Sequence, residues 1–369
     1  MLTRPCRVLH LVDSLKLGGV QTLLCDVLPG LAEQGVDVRV AALHGPGPFS
    51  DVLAARGITP LHLATSRFDP RLMWRLAQLL KSGPVDVLHT HGVPSCWLGQ
   101  RALASGRVPH LIQHLHHMYQ GQHGQPLQNG LERLVYRRGT RLVACSQAVA
   151  DSVGTPLPKE IIYNGIDTEL FAPPNASERM AARAHFGFGP EDQVFCMTGR
   201  ITRLKGVHTV CEAVAALHAE FPALRLLLVG HGPDEAAVRA YSAEAGISHI
   251  VRMPGFVEDV LLGLHAADHY VMASTREGLG SALLEAMATA LPVIVADYPA
   301  AAEIVEDGVN ARVVVGGTAD GFQQAIREAL VGSGTNPAQG EAARRVVEAR
   351  FSLPAIVTQW KALYEDVVA

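Results

Sequence analysis

Ser274-Thr275-Arg276-Glu277-Gly278-Leu279-Gly280-Ser281-Ala282-Leu283-Leu284-Glu285-Ala286-Met287-Ala288 is the stretch on which the reading of this chain turns. The apolar run His269-Tyr270-Val271-Met272-Ala273 before it predicts a buried strand. Glycines at 278 and 280 predict a tight turn, and Ser281 is expected to cap the helix that follows. A strand, a glycine-rich turn and a helix N-terminus together make an anion site, because the first helical N–H groups have no acceptor within the helix. Glu277 in the turn and Glu285 about one turn into the helix bracket that site. A ligand with phosphate at its centre and hydroxyls at both ends fits the bracket, and a nucleotide sugar has that shape.

Outward from this stretch, 369 residues suffice for two domains, and 48% apolar against 18% charged residues can bury a sizeable core. A net charge of −4 gives no footprint for nucleic acid. The cysteines at 6, 25, 96, 145, 196 and 211 show no paired spacing and sit mostly in apolar runs, so buried reduced thiols are expected. No signal peptide precedes the first strand and no apolar run approaches a membrane span, which predicts a cytoplasmic protein.

The first half alternates predicted strands (7–12, 36–43, 85–89, 110–114, 141–145, 160–163, with an apolar run at 59–63) and helices (20–34, near 51–56, 70–81, 95–104, 127–138). That alternation means parallel strands joined by crossover helices. Residues 164–189, with Pro173-Pro174 and glycines at 187 and 189, read as the connection between domains. The pattern then restarts, with strands near 194–199, 224–229, 249–253, 269–273, 292–296 and 311–315. A helix is expected after each of the first five and another over 320–331; 332–337 reads as a loop and 354–367 as a last amphipathic helix. The fold class is α/β: two Rossmann-like doubly wound domains facing across a cleft, with ligands beyond the strand C-termini.

Gly199-Arg200 ends the second half's first strand, and Lys205-Gly206 opens the next helix. Two cations there suit a diphosphate, Arg200 through a forked contact and Lys205 as a point charge, with Arg203 a weaker candidate. Surface charges of this kind are usually just solvated; their place on the edge that carries Glu277 and Glu285 favours the functional reading. In the first half, bare backbone at Gly18 and Gly19 suits close approach to a phosphate or sugar, although a Gly-Gly pair is more often a plain turn. Histidines cluster in His89-Thr90-His91-Gly92 and Gln113-His114-Leu115-His116-His117. A metal site is one reading. It is disfavoured by the lack of neighbouring acids and of any Asp-x-Asp. A second reading makes one histidine of the 114–117 group a polar contact for a transferring sugar, against the plain reading of structural histidine at a strand end, which is preferred for His89, His91 and His117.

Taken together, Gly18-Gly19-Val20, His89-Thr90-His91-Gly92, Ala144-Cys145-Ser146, Tyr163-Asn164-Gly165-Ile166-Asp167, Gly199-Arg200 through Lys205-Gly206, Val229-Gly230-His231-Gly232-Pro233, Glu277-Gly278-Leu279-Gly280 with Glu285, Pro292-Val293-Ile294 and Glu303-Ile304-Val305-Glu306-Asp307-Gly308 resemble, in order and over nearly the whole chain, a family 4 retaining glycosyltransferase of the GT-B fold. The resemblance implies an N-terminal acceptor-binding domain (1–170), a C-terminal nucleotide-sugar-binding domain (171–350) and a final helix (351–369) crossing back to the first. It implies that Glu277 contacts the donor sugar, that Glu285 holds the ribose, and that Arg200 and Lys205 hold the diphosphate with backbone groups of Gly278, Leu279, Gly280 and Ser281. Gly18 and Gly19 would approach the phosphate, and Gly255-Phe256-Val257 would line the base. The sugar-contacting histidine falls on His116 or His114, with His116 favoured. Gln21 stands where many members carry Glu, and Ala301-Ala302 replaces the usual small pair before Glu303.

The implied reaction is metal-independent and cofactor-free: a sugar passes with retention from a nucleoside diphosphate, UDP favoured, to a hydroxyl of a glycan or lipid-linked acceptor in envelope polysaccharide or glycolipid synthesis. The helix around Arg71, Trp74, Arg75 and Lys81, with Arg133, Arg137 and Arg138, offers a peripheral membrane contact, against the commoner reading of a core face with snorkelling charges. The rivals are a glycoside hydrolase using Glu277 and Glu285, a metal hydrolase on His89 and His91, and a non-catalytic nucleotide-sugar binder.

Overall fold

The computed structural model of the chain describes residues 4–16, 18–64, 69–118, 135–136, 139–332 and 336–369. It divides into two compact units, Met1–Gly165 with Leu353–Ala369, and Ile166–Ser352. The chain therefore leaves the first unit at Gly165 and rejoins it at Leu353, where the sequence places breaks at 170 and 350.

In the first unit, strands β1 (Arg7–Val12), β2 (Asp37–Ala42), β3 (Leu61–His62), β4 (Val87–His91), β5 (His110–Leu115), β6 (Thr140–Ala144) and β7 (Lys159–Ile161) form a parallel sheet in the order β3-β2-β1-β4-β5-β6-β7. Helices α1 (Gly19–Glu33), α2 (Pro48–Ala55), α3 (Leu72–Ser82), α4 (Val93–Ala104) and α5 (Gln147–Ser152) make the connections described. β4 starts and ends two residues later than expected, so His89 and His91 lie within the strand. Its register pairs His10 with His89, and His91 with His114. The helix expected over 127–138, and with it Arg133, Arg137 and Arg138, lies almost wholly outside the described residues.

The last helix, Leu353–Val368, belongs to this unit. Its buried residues Ile356, Val357, Trp360, Leu363 and Tyr364 follow the helical repeat and join the core of Leu24, Leu28, Leu31 and Val143. Gly30 lets α1 come close to it: a Cβ there would sit 3.0 Å from Val357 Cγ2.

In the second unit, β8 (Gln193–Thr198), β9 (Leu224–Val229), β10 (Val251–Gly255), β11 (His269–Met272), β12 (Val293–Ala296) and β13 (Arg312–Val314) form a parallel sheet ordered β10-β9-β8-β11-β12-β13. Runs such as Leu226-Leu227-Leu228 and Val293-Ile294-Val295 are buried throughout, as strands covered on both faces must be. Order reverses between β9-β8 and β11, which makes the C-terminal edge of β8 and β11 the switch point where such sheets bind ligands.

Three expectations need correction here. Residues 164–189 are not simply a connection, because α6 (Ala176–Phe186) folds within them. Asn175 caps it through a capping box with Glu178, and Arg183 anchors it to Asp268 at 3.1 Å. After β12 comes a single 3₁₀ turn, Ala301–Glu303, where an α-helix was expected. A helix α12 (Pro337–Arg350) follows the 332–337 loop, capped by Asn336 with Gln339. Its polar composition and Gly340 hide the helical repeat from a sequence reading. The other helices of this unit, α7 (Val207–Leu217), α8 (Glu235–Glu244), α9 (Val260–Ala266), α10 (Ser281–Ala288) and α11 (Ala319–Leu330), stand where expected.

Candidate active site

At the C-terminal edge of β8 and β11, two loops are fastened to each other. Thr275 N–H donates to Leu204 O at 3.0 Å, and Gly206, at φ 67°, lies so close to β11 that a Cβ would sit 2.1 Å from Ala273 O. Only glycine satisfies both the left-handed backbone and that approach. The fastening puts Lys205 Nζ 2.6 Å from Glu277 Oε1, the basic and acidic side chains singled out from separate stretches of sequence.

Beside this pair is an open pocket lined by Thr198, Arg200, Lys205, Tyr270, Ser274 and Ala282 among others. Arg200 is exposed and has no hydrogen bond or ion pair among the described residues. Ser274 Oγ is buried without a hydrogen-bond partner among the described residues. A free guanidinium and an unsatisfied hydroxyl facing one pocket suit an anionic, hydrogen-bonding ligand. Ser274 stands in the decisive stretch, yet nothing in the sequence separates it from an ordinary strand-end serine.

Gly280, not Ser281, is the N-cap of α10, and no side chain caps this helix. The expected Ser281 cap is displaced because Gly280 turns the chain at φ 104° and leaves Ser281 in the first helical turn. Behind the turn, Tyr298 donates from its hydroxyl to Leu279 O at 3.0 Å and braces Gly278 to Gly280; the sequence gives no sign of this role. Burial pushes the Tyr298 phenol well up, with the Glu277 charge adding to it. Burial likewise raises Tyr270, with Glu285 acting in the same direction, so Glu285 lies within electrostatic reach of the pocket wall. Glu285, Gly278, Leu279, Gly280, Ser281 and Val257 are not themselves in the pocket lining. Val257 follows β10, next to Phe256, which is 62% exposed.

In the first unit, Gly18 and Gly19 open α1 with neither in the left-handed region, and a Cβ on Gly19 would meet open space. Backbone strain therefore does not require glycine at either position. Asp13, not singled out in the sequence, accepts from Ser95 N–H at 3.1 Å and joins the end of β1 to α4.

His116 and His114 lie in a larger group than the sequence suggests. Alternation on three paired strands brings His10, His89, His91, His114 and His116 together in the core. His10 Nδ1 meets His91 Nε2 at 3.1 Å, His91 Nδ1 meets His116 Nε2 at 2.9 Å, and His89 Nδ1 meets Tyr364 Oη at 2.7 Å. Trp360 packs against His89 and His114, each ring centroid 4.8 Å away. Burial holds all five imidazoles neutral, with His10 and His116 lowered to about 3. Two triads, His10-His89-His91 and His91-His114-His116, place ring nitrogens within metal-ligating distance of one another.

The six cysteines are buried thiols outside any disulfide, as expected. Among the described residues no helix is long and apolar enough to cross a membrane. On α3, Trp74 is 61% exposed, while Arg71 and Arg75 pair with Asp69.

Residues 17–170 match the family described as Glycosyltransferase Family 4, and residues 178–346 match Glycosyl transferases group 1. The chain is 27% identical over 350 residues to the lipopolysaccharide core biosynthesis glycosyltransferase LpsE of Rhizobium meliloti, covering 92% of this chain and 94% of that one. It is 26% identical over 364 residues to the GDP-mannose-dependent alpha-(1-6)-phosphatidylinositol monomannoside mannosyltransferase of Mycobacterium tuberculosis, covering 90% and 91%. Anabaena Alr3699/HepE, solved in complex with UDP and glucose, superposes with a TM-score of 0.87 at 22% identity over 98% of this chain and 100% of that one, a likeness of fold. Both units thus have the Rossmann-like topology of the GT-B fold, and with its two halves matched in order by these two families, the chain belongs to the family 4, group 1 glycosyltransferases and is a glycosyltransferase.

Proposed function

We propose that the chain is a retaining, metal-independent glycosyltransferase that moves a sugar from a nucleoside diphosphate to a hydroxyl of an envelope glycan or glycolipid. The observation that carries this reading is the convergence of Arg200, Lys205, Ser274 and Glu277 on one edge of the second unit's sheet. Arg200 and Lys205 take the diphosphate, and Glu277, oriented by Lys205, takes hydroxyls of the donor sugar. The turn from Gly278 to Ser281 adds backbone donors, Glu285 holds the ribose, and Phe256 with Val257 lines the base. As the sugar leaves, negative charge grows on the diphosphate, and preorganised donors aimed at it are usually the largest catalytic contribution.

The acceptor attacks from the face that the phosphate vacates, and the phosphate oxygen takes its proton. That route needs no enzymatic base. In the first unit His116 contacts the sugar, and Gly18 and Gly19 leave room for the phosphate. A UDP-sugar is the favoured donor, supported by the HepE complex, while the GDP-mannose dependence of the mycobacterial relative sets the rival base. Both relatives' names support an envelope acceptor, and with it action at the cytoplasmic face of a membrane, where Trp74 on α3 supplies an exposed apolar contact. The hydrolase reading leaves Arg200, Lys205 and Ser274 without a task.

The test is a panel of UDP- and GDP-sugars screened by thermal shift, followed by turnover of the stabilising donor in the presence and absence of chelator. Glu277→Ala should abolish transfer. Unchanged product formation by that variant, or free sugar released from plain glycosides, would defeat the assignment.

A further inference from the structure

His114 is 2% exposed, and both of its ring nitrogens are buried without a hydrogen-bond partner among the described residues. A neutral imidazole carries one N–H and one lone pair, and each left unsatisfied in a core costs about 1–3 kcal/mol. Such an expense at a defined position calls for a ligand. Around His114 the protein offers other imidazoles: the His116 ring centroid is 3.9 Å away and that of His91 5.5 Å. One ring nitrogen from each of His91, His114 and His116 lies within 4.8 Å of the others. The backbone fixes this arrangement, since β4 and β5 pair His91 directly with His114, and His116 follows two residues on, on the same face.

We propose that His91, His114 and His116 form a binding site for a divalent transition metal of the zinc class. Three imidazoles without a carboxylate or thiolate are a donor set for zinc, cobalt, nickel or copper and a poor one for magnesium or calcium. Nitrogens about 2.0–2.1 Å from one ion stand closer together than the present upper limit. Small rotations of the imidazoles close that gap, at the expense of the 2.9 Å bond between His91 and His116. The triad deeper in the strands, His10-His89-His91, is the weaker candidate, because Tyr364 already engages His89 at 2.7 Å and reaches His10 at 3.4 Å.

The cation has no step in the proposed transfer. Its predicted effect rests on that reading: by engaging His116, the metal withdraws a sugar contact and inhibits.

The test uses the untagged, full-length chain, stripped with chelator and desalted. Titration with Co²⁺, read by visible absorption, should saturate at one equivalent and be reversed by Zn²⁺. His114→Gln and His91→Gln should each weaken binding at least about 100-fold, more than loss of an outer-shell partner does, while exposed His249→Gln binds as wild type. X-ray absorption on the zinc-loaded wild type should show imidazole scattering from three histidines, which needs no variant to fold. No saturable binding, equal binding by all three variants, or a shell of oxygen or sulfur alone would overturn the proposal. In a transfer assay Zn²⁺ should inhibit and chelator restore the rate; an inactive chain that still binds one Co²⁺ would sink the transfer reading and leave the metal site standing.

Discussion

Lys205 and Glu277 are 72 positions apart in the chain, and their charged ends meet at 2.6 Å. Neither is fully buried: the side chains retain 28% and 15% of their exposure. A pair in that setting adds at most about 1 kcal/mol to stability, so holding the fold together is a poor explanation for it. Aiming each side chain at a third party is a better one.

Lys205→Met should therefore lower kcat/KM for transfer by roughly 100- to 1,000-fold, the loss typical of one donor to developing charge. The melting temperature should hardly move. Initial rates of nucleoside diphosphate release, beside a thermal melt, check both halves; a large melting shift with a modest rate change would reassign the pair to structure.

Gly206→Ala must be much worse than Gly187→Ala, although both glycines sit in the left-handed region, at φ 67° and 75°. At Gly187 the new methyl meets nothing within 4 Å, and the cost is the backbone strain alone, about 1 kcal/mol. At Gly206 it strikes Ala273 O and pries the loops of Lys205 and Glu277 apart, adding about 2 kcal/mol or more and, on the proposed function, depressing transfer. Equal melting shifts for the two variants would mean that the loops are not held as described.

Acid should destabilise the first unit from near pH 6.5 downward. The folded protein keeps its core histidines neutral, with His10 and His116 lowered to about 3, whereas the unfolded chain protonates them near 6.5. Between those values the unfolded state binds more protons. Stability is complete above the upper value and drains as pH falls, by up to about 1.4 kcal/mol per pH unit for each such histidine. Melting temperatures between pH 7.5 and 4.5 test this, and His10→Leu should flatten the decline. A flat profile in the wild type would show the histidines already protonated or solvated.

Trp360→Ala should cost about 3–5 kcal/mol, as a fully packed aromatic does. Trp360 is 2% exposed and covers both His89 and His114, so the variant should also admit solvent to the histidine face. Hydrogen exchange in β4 and β5 reads that directly.

Much of this was legible in the sequence because strand and helix rhythms differ and because glycine marks the turns. The positions of Lys205 and Glu277 could be named from their strand ends; their contact could not, since it depends on the close approach at Gly206. The histidine group shows the same limit more sharply. His89-Thr90-His91 and His114-Leu115-His116 announce two strand ends, but His10 looks like any residue in an apolar strand, and Tyr364 lies 354 residues from it. Only register and the path of the last helix join them. Helix α12 was missed for a local reason, its polar surface and internal glycine, and α6 because the prolines ahead of it suggest a linker.

The return of Leu353–Val368 to the first unit sets an order of events during synthesis. Every residue of the second unit leaves the ribosome before the helix that seals the histidine face exists. Until that helix arrives, Trp360 is not there to cover His89 and His114, nor Tyr364 to engage His89 and His10. On that side the growing chain meets water with imidazoles that the folded unit packs against the aromatic face of its last helix.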